Sequence, residues 1–196
     1  MSRIPSHEIL PLVLHRSSTR AMSGQPLSDS ELMRILEAAR WAPSAANFQP
    51  WRFLYAQAGT PLFAQFLSFL DPFNAEWCVR AGALVVVVSK VTTPDGKPLA
   101  PHAFDAGAAW MAMALQASSM GLVSHAMGGI QTDRIRAELQ IPDGFAIHCI
   151  VALGHKGDIN DLAERNRPRE TPNDRRPLVE SIAAGSFPQA WTPTEA

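Results

Sequence analysis

Four short stretches carry the residue types that could do chemistry. The first, His15-Arg16-Ser17-Ser18-Thr19-Arg20, sets two guanidiniums around three hydroxyls within six residues. A guanidinium's planar fork meets two phosphate oxygens at once, and neighbouring hydroxyls add further bonds. The segment could therefore neutralise a phosphate, although taken alone it also reads as a solvated N-terminal turn. The second stretch runs from Pro43 to Trp51, PSAANFQPW, and holds not one charge. Ordinary surface loops are more polar and more charged. Asn47 and Gln49 each offer a donor and an acceptor, which suits the edge of a flat heteroaromatic ring; the same loop also reads as a helix-to-strand connection with Asn47 in a left-handed conformation. The third, Ser124 to Ile130 (SHAMGGI), ends in adjacent glycines that let a ligand approach the backbone closely, or simply make a turn. The fourth is a set of arginines, Arg165, Arg167, Arg169, Arg175 and Arg176, interleaved with Glu164, Glu170 and Asp174. That interleaving argues against a nucleic-acid patch and for a solvated face, from which one arginine could still reach a phosphate.

Dedicated catalytic sets are missing. His102, His125, His148 and His155 show no HExxH spacing, and His148, inside an apolar run, reads as a core histidine with a satisfied ring. The sequence contains neither a GxSxG elbow nor the glycine-rich GxGxxG and GxxxxGK[ST] loops. Groups that hold a ligand, without a nucleophile or a dedicated acid, suit a protein whose bound cofactor performs the chemistry.

Periodicity places these stretches on elements. Ser28 and Glu31 form a capping-box pattern ahead of Leu32, Ile35, Leu36 and Ala39, so a helix begins there and ends before Pro43. Trp51 to Ala56 alternates like a strand, and a helix over Pro61 to Leu70 follows, with another over NAEWCVRAG. Ala83 to Lys90 (ALVVVVSK) is apolar on both faces, the mark of a central strand covered on both sides. Residues 90–101 read as a loop that influences access to a site. A long helix runs from about His102 to Met120 with Gly121 as its stop; a short helix capped by Thr132, a turn at Ile141 to Gly144 and a second core strand from Phe145 follow. Beyond about residue 155 the chain is a proline- and arginine-rich arm suited to lying on another surface.

The chain has 196 residues, of which 46% are hydrophobic and 18% charged, with a net charge of −1. One domain with a real core fits this length, and so balanced a charge draws in neither nucleic acid nor an anionic membrane. The apolar run near Ala106 is broken by Gln116, Ser118 and Ser119 and reads as buried, not membrane-spanning. Cys78 and Cys149, without metal spacing, read as core thiols in a reducing compartment. The expectation is a single-domain cytoplasmic protein of α+β class that binds no metal.

Taken in order and spacing, RSSTR, ILEAARWAPSAANFQPWRF, FNAEW leading into ALVVVVSK, FDAGAAWMAMALQASSMGLVSHAMGGI and DRRPLVE resemble the nitroreductase family, from about Arg16 to Glu180. The resemblance implies a central mixed sheet covered by helices on both faces, an intertwined homodimer, and one FMN at each of two interface sites. It implies that Arg16, Ser17, Ser18 and Arg20 serve the phosphate and pyrimidine side. Pro43, Ser44, Ala45 and Asn47 then lie against the isoalloxazine and ribityl chain, and Asn74 is a flavin-edge residue contributed across the interface. Met127, Gly128 and Gly129 form the backbone near flavin N5, and Arg175 holds the phosphate. The helix around Ala108 to Ala114 sits in the dimer core and the C-terminal arm embraces the partner. The implied activity is ping-pong transfer of hydride or electrons from NADH or NADPH through FMN to a small acceptor such as a nitroaromatic or quinone, with Arg20, and secondarily Arg80, stabilising the charge of the reduced ring. Flavoproteins of this fold that dehalogenate, oxidise rings or fragment flavin are the alternative, as is a non-enzymatic FMN-binding dimer. The chain departs from the pattern at Trp77, where several members carry a lysine, at Gly128, acidic in some members, and at Asn173, where a basic residue precedes Arg175 by two.

Overall fold

A computed structural model describes residues 3–188 of the chain. Ten regular elements follow one another: α1 (Pro11–His15), α2 (Asp29–Arg40), β1 (Trp51–Gln57), α3 (Pro61–Leu67), α4 (Pro72–Cys78), β2 (Ala83–Lys90), α5 (His102–Ser119), β3 (Leu122–Met127), α6 (Thr132–Glu138) and β4 (Phe145–His155), joined and followed by short 3-10 turns. The strands form one sheet in the order β1-β2-β4-β3. All three pairings are antiparallel. The mixed character expected of the sheet is confined to one parallel bridge, between Ser18 and Ser124, beyond its edge strand β3.

β2 is buried along almost its whole length, because both faces are covered. Leu84, Val86 and Val88, with Ile150 and Ala152 of β4, pack under Phe63 and Phe66 of α3, Trp77 and Cys78 of α4, and Ile135 of α6. Val85 and Val87, with Val151 and Leu153, pack under Leu32, Ile35 and Ala39 of α2 and Ala106, Ala109, Met113 and Ala117 of α5. Strand periodicity sends alternate valines to opposite layers. The pairing shifts between Val87 and Val88, whose partners are Cys149 and Ile147, so His148 is the extra residue of a bulge. Its Nε2 meets Ser89 Oγ at 2.6 Å, and the same hydroxyl meets His102 Nδ1 at 2.8 Å.

The capping box at Ser28 forms as its sequence implies: Glu31 N–H donates to Ser28 Oγ and Ser28 N–H to the Glu31 carboxylate. Gly121 takes φ +72° just past α5, as a helix stop requires. Other boundaries differ from the pattern. Thr132 is the first residue of α6, after Gln131 as N-cap, and makes no side-chain cap bond. α4 starts earlier than expected, at Pro72, because Asp71 caps it by accepting Asn74 N–H at 2.7 Å. α3 stops at Leu67, which frees Leu70 to bridge to Ile130.

The arm after β4 divides in two. Up to Glu170 it is tied to its own chain: Arg80 pairs with Asp161 at 2.8 Å, Asn166 donates to Glu76, and the Glu170 carboxylate accepts the backbone N–H groups of Arg20 and Ala21. Past Glu170 the arm is largely exposed, although Arg3 still reaches it by donating to the Asn173 carbonyl. Among the described residues no helix is long and apolar enough to cross a membrane.

Candidate active site

The segment after α1 and the arm enclose a cleft of about 720 Å³. Arg16, Ser17, Ser18 and Arg20 line it, as does Arg175, so the two basic segments identified in the sequence converge across more than 150 positions of chain. The Ser18–Ser124 bridge fixes one wall by tying the segment to β3. Arg3, His125, Arg169 and Glu170 also line the cleft; the sequence offered Arg169 only as one of five arginines that could reach a phosphate, and it gave Arg3, His125 and Glu170 no role in a site. No local signal marks them. Arg3, for example, is carried in by its own bonds to the carbonyls of Leu14, Arg16 and Asn173.

Charge in the cleft is unbalanced. Glu170 stands within 3.7 Å of the Arg20 guanidinium, but the Arg16 side chain makes no hydrogen bond or ion pair among the described residues. Burial first, then the charges of Arg3 and Arg175, push the Arg16 pKa down. A guanidinium pressed by like charges and left without a partner is arranged to receive an anion. Arg20 Nε and His125 Nδ1 are likewise buried without a partner, and buried polar groups are rarely left so.

A second group assembles where β3 meets α4. Asn74 and Asp71 lie against Gly129 of their own chain: a Cβ on Gly129 would stand 3.1 Å from Asn74 Nδ2 and would overlap Asp71 Oδ2. Asp71 N–H donates to the Gly129 carbonyl at 3.1 Å. Asn74 thus belongs with Met127, Gly128 and Gly129 and not with a separate surface. A Cβ on Gly128, by contrast, would meet nothing within 4 Å, so the backbone there offers an open approach. Met127 is buried, its Sδ 3.3 Å from Cys78 Sγ.

The uncharged loop is elsewhere. Ala46, Asn47 and Gln49 hold φ of +46°, +55° and +48°, left-handed values that cost free energy in residues other than glycine. Two bonds hold the loop in that shape: Gln49 N–H to Ser44 Oγ at 3.0 Å, and Ala45 N–H to Asp105 Oδ2 of α5 at 3.2 Å. None of residues 43–49 lines the cleft around Arg16 within one chain.

Arg80, weighed for a charge role, and Trp77, at the departure from the family pattern, both have structural ones. The Arg80 guanidinium is spent on the carbonyls of Met22 and Ser23 and on Asp161. Trp77 is buried and packs on His125, the ring centroids 4.9 Å apart. Of the C-terminal arginines, Arg165 pairs with Glu76 at 2.9 Å, Arg167 donates to the carbonyls of Leu162 and Asn160, and Arg169 lies 4.9 Å over the Phe73 ring.

The nitroreductase family model matches residues 13–155, a span that runs from the end of α1 through β4 and includes both glycines and the loop. The chain belongs to the nitroreductase family. A solved structure described as an oxidoreductase containing FMN superposes with a TM-score of 0.92 at 42% identity, covering 95% of this chain and 96% of that one. Another, provisionally described as a nitroreductase in complex with FMN from Desulfovibrio desulfuricans, superposes with a TM-score of 0.74 at 25% identity over 92% of this chain and 100% of that one. A protein of Archaeoglobus fulgidus, provisionally named as a NADH dehydrogenase/NAD(P)H nitroreductase, is 29% identical over 161 residues, 80% of this chain and 90% of its own length.

Proposed function

We propose that this nitroreductase is an FMN-dependent oxidoreductase that passes electrons from NADH or NADPH to a small acceptor, a nitroaromatic or a quinone, in a ping-pong sequence. The observation that carries the reading is the partnerless Arg16 guanidinium in a cleft also lined by Ser17, Ser18, Arg20 and Arg175. That donor set fits a phosphate monoester and exceeds what the single carboxylate beside it can balance. FMN, when bound, supplies the two-electron chemistry. Arg16, Ser18 and Arg175 would bind its phosphate, with Ser17 alongside, and Arg20 would supply positive charge to the reduced ring. Met127, Gly128 and Gly129 present backbone to the ring, and Asn74, held by Asp71, offers its amide to the ring edge.

The loop from Pro43 through Ser44, Ala45 and Asn47 completes the site from a second copy of the chain. Its distance from the cleft within one chain supports a homodimer, and so does α5. Phe104, Gly107 and Met111 form an exposed apolar face at helical spacing. Stacking of substrate on a ring held between two subunits fixes distance and orientation, which supplies much of the rate. Water is available as proton donor, so no dedicated acid is required.

Anaerobic titration of the FMN-loaded protein with NADH and then NADPH tests the reading. Bleaching of the flavin absorbance by at least one nicotinamide, and its return on adding a quinone or nitroaromatic, is the expected result. Bound flavin that neither nicotinamide bleaches would leave a flavoprotein with other chemistry on the same fold.

A further inference from the structure

Among the described residues, His125 is the one titratable ring lining this cleft, and the reaction above gives it no task. It stands on β3, two residues before Met127, and lines the cleft with Arg16 and Arg20. Its ring packs on Trp77 of α4, and its Nδ1, Arg20 Nε and Trp77 Nε1 are all buried without a partner among the described residues. Three unsatisfied polar atoms gathered around one imidazole mark a place poised for a change of charge or proton.

Opposing forces act on the ring, and those that keep it neutral prevail. Burial holds its pKa down to about 4, helped by the charges of Arg20 and Arg16, while the carbonyls of Ser18 and Thr19 favour the protonated ring. From α4 it faces uncharged Trp77, with Asp71 engaged by Asn74. From the arm come Arg169 and Arg175 and one carboxylate, Glu170, already tied to Arg20. Among the described residues no carboxylate is left over to stabilise an imidazolium, and the charge of a bound phosphate falls to Arg16 and Arg175, so the ring stays neutral until charge develops on the flavin itself.

We propose that His125 takes up a proton when the flavin bound beside Arg20 is reduced. The inference rests on the FMN reading above. The nicotinamide delivers two electrons and one proton to the ring system, which alone would change its charge by −1. A second proton, drawn from solvent, binds His125 Nδ1 and returns the net change at the site to zero. The buried Trp77, at a position where several family members have a lysine, carries no charge, and the imidazole supplies one only when it is needed.

The test is the midpoint potential of the FMN-loaded protein as a function of pH, read by spectroelectrochemistry in the wild type and in His125→Gln. Each proton taken up with two electrons steepens the dependence by about 30 mV per pH unit. The wild type is expected to follow about 60 mV per unit over part of the range from pH 5 to 7, and His125→Gln about 30 mV per unit throughout. A shallow dependence in the wild type, or a steep one that survives in His125→Gln, overturns the proposal while leaving FMN binding intact. Failure of the protein to bind flavin at all overturns the underlying reading and the proposal with it. Imidazole nitrogen NMR of the wild type at pH 6 gives a readout that needs no variant: protonation of His125 on dithionite reduction is expected, and an unchanged neutral ring would refute it.

Discussion

Gly128 and Gly129 are neighbours with different reasons to be glycine. At Gly129 a side chain would displace Asp71, which caps α4 and holds Asn74; at Gly128 nothing stands within 4 Å. Gly129→Ala should lower stability by roughly 1–2 kcal/mol, the worth of a helix cap, and weaken flavin binding as Asn74 shifts. Gly128→Ala should leave stability unchanged and yet alter flavin affinity, because the added methyl points into the space proposed for the ring. Chemical denaturation beside a flavin titration separates the two. At this scale the sequence showed the bearers of distinctive chemistry, such as Arg16, Asn47 and the paired glycines. It could not show Arg3, Glu170 or His125, whose roles exist only once distant segments meet: Arg3 by bonding carbonyls of residues 14, 16 and 173, Glu170 by reaching back to the Arg20 and Ala21 amides.

Among the elements, the loop and α5 act together. Three left-handed, non-glycine residues persist in the loop because Ser44 and Asp105 fix its two ends. Asp105 is buried, so Asp105→Ala removes the acceptor from a partly buried amide, a loss of about 1–3 kcal/mol locally. Faster hydrogen exchange at Ala45 and weaker FMN binding, with the core strands still protected, are the expected outcome. Unchanged exchange at Ala45 would show that the loop keeps its shape without α5. Most elements were legible because a single physical signal dominated each: the reciprocal bonds at Ser28 and Glu31, the doubly apolar β2, the length of α5. β3 was not, since Ser124 and His125 interrupt its apolar pattern in only six residues and adjacent glycines suggest a turn. Its strand character comes from pairing along β4 from Leu122–His155 to Met127–Ile150, which is a tertiary cause.

At the scale of the whole molecule, the arginine cleft and the loop proposed to share a site do not meet within one chain. The dimer proposed to unite them should depend on the exposed face of α5, where Phe104 is 82% exposed. Phe104→Glu with Met111→Glu is expected to halve the mass seen by light scattering and, with it, to abolish FMN binding while far-UV circular dichroism stays native. A monomeric variant that still binds FMN with wild-type affinity would place the whole site in one chain. The central claim, that the arginine cleft receives the phosphate of FMN, is tested most directly by titrating flavin-free protein with FMN and with riboflavin, in the wild type and in Arg16→Ala. The account predicts that the wild type prefers FMN and that Arg16→Ala loses roughly tenfold to a hundredfold in FMN affinity, the worth of a charge-assisted bond, with riboflavin affinity unchanged. Equal affinity of the wild type for FMN and riboflavin, or an Arg16→Ala protein that still favours FMN as strongly, would contradict it.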